Sequence, residues 1–257
     1  MGVDCLWSMH LAIAVTSALL GETDNFHESF ALSRERCGND PELNAFNDAM
    51  GSIVANVFGR FDQALALAHR GIDGAETKGT AYCRCMTRQA LSLSLFNHGE
   101  FHRAAEFAGE ALSIMEEQNT GRAHLGGVAG VLSLAELALG DAGAARSRSS
   151  ETIVFCHERT QYWELSAWVA SARSCIAQGD QEAALAAMVE MEQLVERTGA
   201  VVQRPNLHIN RALFARGFSS EWDADVEWAL AREAYVALGA HSHIARLERF
   251  DDRSIFV

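Results

Sequence analysis

Gly59, Gly99, Gly140 and Gly179 stand at successive intervals of 40, 41 and 39 residues. Gly21 precedes this series by 38 residues and Gly217 follows it by 38. A fixed period of this size is the mark of a repeat array. In such an array each unit is one supersecondary element that cannot bury its apolar face alone. The chain is therefore expected to be a stack of similar units, each packed on its neighbours.

The residues around the glycines repeat too. "FGRFDQALALAHRGI", from Phe58 to Ile72, is echoed by "FNHGEFHRAAEFAGEAL", from Phe96 to Leu112. Five positions after the glycine stand Ala64, Ala104, Ala145 and Ala184; seven before it stand Ala14, Ser52, Ser92, Ser133 and Ala172. Small side chains recur where two helices must approach closely. Asn210 departs from the second pattern and Phe26 from the first.

Each unit reads as helix, tight turn, helix. The glycine ends the first helix, because it adopts a left-handed backbone at low cost. Glu100, Asp141 or Asp180 follows at the start of the second helix, where a carboxylate suits the unpaired N–H groups. Phe101, Ala104, Ala105, Ala108, Ala111, Leu112 and Met115 recur at helical spacing, with Arg103, Glu106 and Glu110 between them. Asp40-Pro41-Glu42 is a helix start with proline in its first turn. Helix pairs are expected near 7–37, 40–77, 79–118, 121–158, 160–198 and 203–239, closed by a terminal helix at 241–250.

Composition agrees with an all-α chain. Of 257 residues, 49% are apolar and only two are proline, Pro41 and Pro205. The net charge of −13 offers no basic surface for a phosphate backbone, so direct nucleic-acid binding is not expected. The six cysteines are irregularly spaced and read as reduced thiols of a cytoplasmic protein. "LAIAVTSALLG", from Leu11, is too short to span a bilayer and lacks a positively charged leader. It reads as the first helix of the first pair, and no membrane association is expected.

The motifs that suggest chemistry fail on context. "GAETKGT" around Lys78 has Thr77 where a phosphate loop needs glycine, and no strand precedes it. "GGVAG", Gly126 to Gly130, follows no strand either, so its glycines read as close helix contact, the alternative being a gap opened in the groove. Cys83 and Cys85 point apart on a helix, and His241 and His243 have no partner at metal-ligand spacing. No nucleophile–base arrangement is readable. The expectation is a protein without cofactor, metal or catalysis.

The pattern resembles the tetratricopeptide repeat. That family has small residues on the first helix, a glycine near the turn and alanines on the second. It often has tryptophan where Trp168 stands, eleven residues before Gly179. Two features depart from it: the period exceeds the usual length of about 34 residues, and the closing proline is missing. Longer, proline-poor repeats are similar to the C-terminal region of LuxR-type regulators of the maltose-activator kind, and of ATPase-containing class III nucleotide cyclases. The ending "LAREAYVALGAHSHIARLERF" is similar to the ends of such chains.

The resemblance implies a right-handed all-α superhelix of about six antiparallel pairs, forming a single domain over 1–257. It further implies a bacterial protein-interaction or ligand-sensing scaffold, binding a protein, a peptide or a small-molecule effector. The alternative is a detached regulatory region of a multidomain cyclase or transcription factor. The first helices would line a concave groove, with positions two, three, six and ten before each glycine facing inward. Among those positions are Asn56, Gln89, Leu93, Phe96, Asn97, Leu134, Arg173, Ile176 and Arg211. Trp222 and Trp228 would cap the apolar end of the array, the alternative being a docking surface for another subunit.

Overall fold

The computed structural model describes residues 5–157 and 159–249. Thirteen α-helices run through it, with no strand among the described residues. In chain order they are α1 (Cys5–Leu19), α2 (Thr23–Cys37), α3 (Pro41–Val57), α4 (Phe61–Lys78), α5 (Ala81–Asn97) and α6 (Phe101–Glu117). Then follow α7 (Leu125–Ala138), α8 (Ala142–Cys156), α9 (Gln161–Ala177), α10 (Gln181–Thr198), α11 (Arg204–Gly217), α12 (Ala224–Ala237) and α13 (His241–Arg249). Position 250, expected to end the last helix, lies outside the described residues.

The first helix of each pair packs on its own second helix and on the first helix of the next pair, as α3 does on α4 and α5. The molecule is an all-α solenoid. Its periodic glycines do what a turn between antiparallel helices requires. Gly21, Gly59, Gly99, Gly140 and Gly179 all have positive φ, between 66° and 93°. That region is costly for residues with a Cβ. Asp141 and Asp180 then accept a hydrogen bond from the N–H three residues on. Asp40 accepts two, from Glu42 and Leu43, with Pro41 behind it; such a cap stabilises a helix by about 1 kcal/mol.

Small residues mark the helix contacts. Ala14, Ser52, Ser133 and Ala172 on first helices are wholly buried, as are Ala64, Ala104, Ala145 and Ala184 on second helices. Ser92 Oγ donates to the Ala104 carbonyl, so even its hydroxyl is consumed between the two helices. Ion pairs brace neighbouring helices from outside. Asp48 of α3 lies between Arg34 of α2 and Arg70 of α4, and Arg88 of α5 between Glu76 and Glu110.

Gly217 corrects the register of the last pair. It is the final residue of α11 without positive φ, and Phe218 beyond it is extended. Asp223 caps α12 only after an intervening loop. The tight glycine turn of the other pairs is absent here, so counting back from Gly217 misplaces the inward face of α11.

The array closes on itself. A Cβ at Gly21 would meet the Val201 side chain at 3.1 Å, and one at Gly199 would meet Leu20 at 3.4 Å. At Gly59 it would lie 3.3 Å from the Ala240 carbonyl carbon and 3.2 Å from the His243 ring. The turns of the first two pairs therefore touch the last pairs and α13. This seam converts a groove into a closed ring.

Candidate functional site

The first helices present their inner faces to a cavity of about 160 Å³ inside the ring. Asn56 of α3 lines it, with Gln89, Leu93, Phe96 and Asn97 of α5. Leu134 of α7 and Arg173 of α9 complete the set of expected inward residues that the fold brings together.

Ile176 and Arg211 lie elsewhere. Ile176 packs with the α9–α10–α11 core that contains Met188 and Phe214. Arg211 points away from the cavity, pairing with Glu192 at 2.6 Å and lying over the Trp222 ring. Trp222 packs edge-on to Phe214, and Trp228 joins the apolar cluster of α11, α12 and α13.

A continuous hydrogen-bond chain forms one wall. Arg246 of α13 donates to Asn97 Oδ1 at 2.7 Å. Asn97 donates to Asn56 Oδ1 at 2.8 Å, and Asn56 donates to Ser94 Oγ at 2.9 Å. Ser94 meets Ser52 at 3.0 Å. The two asparagines stand at nearly equivalent repeat positions, so stacking the repeats places one amide against the other.

Arg173 of α9 lines the same cavity. It is 2% exposed, and Asn210 and Asn206 of α11 accept from its Nε and Nη2, each at 2.9 Å. Asn210 is the residue that broke the small-residue pattern. It breaks it because it holds a guanidinium where other repeats only need to pack. Burial draws the Arg173 guanidinium down to about 10; the Tyr235 phenol opposes this and the Arg246 charge adds to it. Arg246 is lowered as well, first by burial.

Residues unremarked by periodicity complete the lining. Trp163 and Ser166 of α9 enter where Gly127 and Gly130 of α7 leave space. A Cβ at Gly130 would lie 2.6 Å from Ser166, and one at Gly127 would collide with Gln89 and the Trp163 ring. The "GGVAG" run is thus a close helix crossing that also shapes the cavity. Tyr235 of α12 and His243 of α13 close the seam side. Their rings stack at 4.6 Å, Phe61 meets His243 edge-on, and His243 Nε2 bonds the Asn56 carbonyl at 2.8 Å. Burial pushes His243 down to about 4, with the Asn56 bond opposing and Arg246 reinforcing. A neutral His243 therefore donates from Nε2. Helical spacing in "HSHIAR" puts His243 and Arg246 on one face, the only sequence signal for this contribution.

The described thiols are poor nucleophiles. Cys37, Cys83, Cys85, Cys156 and Cys175 are buried, free thiols, and burial raises Cys85 to about 12. Among the described residues no cluster of His, Cys, Asp or Glu is placed to hold a metal, and no helix is long and apolar enough to cross a membrane.

No protein-family model matches the chain, and no curated protein matches its sequence. Solved structures do resemble it. A Rap protein crystallised in complex with competence and sporulation factor superposes with a TM-score of 0.69 at 11% identity, covering 97% of this chain and 74% of that one. The apo form of RapI superposes with a TM-score of 0.62 at 13% identity, covering 95% and 87%. Likeness at this identity concerns the fold alone, an all-α helical solenoid.

Proposed function

We propose that this protein is a non-catalytic, ligand-sensing interaction scaffold of bacterial signalling or transcription regulation. Its ligand sits inside the ring, and α13 reports occupancy to a protein partner. One observation carries the reading. Inward residues from α3, α5, α7 and α9 converge with Tyr235, His243 and Arg246 on a single cavity holding buried amides and guanidinium groups. Ligand sites combine apolar walls with a few convergent polar groups in this way. The cavity is smaller than a typical drug-sized pocket of about 300 Å³ or more, which favours a small effector or the end of a peptide. The fold likeness to a Rap protein crystallised with a bound factor supports the same class of role.

The test is native mass spectrometry of the purified chain after exposure to a small-molecule and peptide extract of its source cells. A retained ligand, lost when Asn97→Ala opens the amide chain, is the expected result. A bare mass under all extracts defeats the reading. A second reading, a regulatory region of a larger cyclase or LuxR-type factor, draws on the long, proline-poor period. An adjoining reading frame for an ATPase or effector domain decides it.

A further inference from the structure

We infer that the cavity recognises an uncharged aromatic ring bearing an N–H at its edge, as in an indole, with the Gln89 carboxamide oxygen as the acceptor. The inference rests on the cavity being a ligand site, and adds which chemistry it selects.

Gln89 of α5 carries the argument. It is 3% exposed, lines the cavity, and its Oε1 has no hydrogen-bond partner among the described residues. The neighbouring carboxamides are engaged: Asn56 donates to Ser94, Asn97 to Asn56, and Asn206 to Gln203. Asn97, Asn206 and Asn210 also accept from Arg246 and Arg173, and neither arginine takes part in the recognition. A buried acceptor without a donor carries an unmet desolvation cost. A ligand that brings a donor therefore gains what an isostere without one cannot.

The surroundings of Gln89 select a ring. A Cβ at Gly127 would collide with Gln89 Nε2 and lie 2.7 Å from Trp163 Cε3. The bare backbone of α7 thus sets the amide and the indole side by side, and a donor that reaches Oε1 arrives next to the Trp163 ring. Tyr162 meets Trp163 edge-on at 5.1 Å, and Leu93, Val131 and Leu134 extend the apolar wall. Offset and edge-to-face contacts of this kind favour a flat aromatic ligand.

Charge and size narrow the choice. Among the described residues no Asp or Glu lines the cavity, so an ammonium donor would be buried there without a countercharge. A neutral N–H avoids that cost. The volume of about 160 Å³ admits one small ring system, since cavities of about 150 Å³ admit benzene.

Calorimetric titration of the full chain with indole, benzofuran and N-acetyl-tryptophanamide tests this. Benzofuran has nearly the shape of indole, with an ether oxygen in place of the N–H. Indole is expected to bind about tenfold more tightly or better. Gln89→Met keeps the side-chain length and removes the acceptor. It should bring the ratio to about twofold or less while leaving the benzofuran affinity near the parent's. It should also raise the thermal midpoint of the ligand-free protein, because no unmet acceptor is left behind; circular dichroism checks its fold. Tighter binding of N-acetyl-tryptophanamide than of indole identifies a peptide side chain as the source, and the reverse identifies a free heterocycle. A ratio preserved in Gln89→Met overturns Gln89 as the acceptor. Equal affinity of the parent for indole and benzofuran overturns the donor assignment while leaving the ligand cavity standing. No binding by any of the three overturns the inference too, and the extract experiment then judges the cavity separately.

Discussion

Glycine serves three separate purposes in this chain, and they respond differently to substitution. At Gly59 and Gly99 it provides a left-handed turn. At Gly126, Gly127 and Gly130 it provides contact: a Cβ at Gly126 would lie 2.5 Å from the Trp163 carbonyl oxygen. At Gly109, inside α6, a Cβ would meet nothing within 4 Å. Gly109→Ala is therefore expected to stabilise the protein by about 0.5–1 kcal/mol, the helix-propensity difference alone. Gly130→Ala gains the same propensity but forces α7 away from Ser166. Overpacking of that kind costs about 1–3 kcal/mol, so net destabilisation is expected. Urea unfolding of the two variants beside the parent measures both; equal stabilisation would remove the close-crossing argument.

At the scale of elements, α13 differs from the other helices. It belongs to no pair, yet it supplies two cavity residues and most of the polar contacts across the seam. His243 is its central residue, enclosed by Tyr235, Phe61, the Asn56 carbonyl and Arg246. Its folded pKa of about 4 lies below the ordinary value of 6.5. Above pH 6.5 both folded and unfolded chains keep it neutral. As pH falls from 6.5 toward 4, the unfolded chain takes up a proton that the folded ring refuses, and stability declines. The loss from a shift of this size is on the order of 3 kcal/mol. His124, buried against Tyr82 and also lowered to about 4, loses stability over the same window. His243→Phe preserves the ring contacts, and the Asn56 carbonyl keeps its bond from Gly59 N–H. That variant should show roughly half the acid-induced loss seen in the parent, measured by denaturation at pH 7 and pH 4.5. An unchanged pH dependence would place the titrating group elsewhere.

At the scale of the whole molecule, the periodic part was legible and the closure was not. Glycine spacing and small residues report contacts between adjacent repeats, so they located the helices and seven of the inward residues. The closing contacts join positions 187 and 149 residues apart, and no local period encodes them. The same locality explains why Arg211 does not line the cavity, because its count began from a glycine that ends no tight turn. Closure also changes how the array should respond to damage. In an open solenoid each repeat touches only its neighbours, and loosening one end leaves the other untouched. Here Arg246→Ala removes a hydrogen bond to Asn97 and a guanidinium–ring contact with Phe96 at 5.4 Å. These contacts are together worth about 1–3 kcal/mol, or roughly a ten- to hundredfold change in local opening. Hydrogen exchange should then accelerate together at α13 and at the turns around Gly59 and Gly99, while α7 and α8 keep their protection. Acceleration confined to α13 would mean that the ring touches at its seam without being held by it.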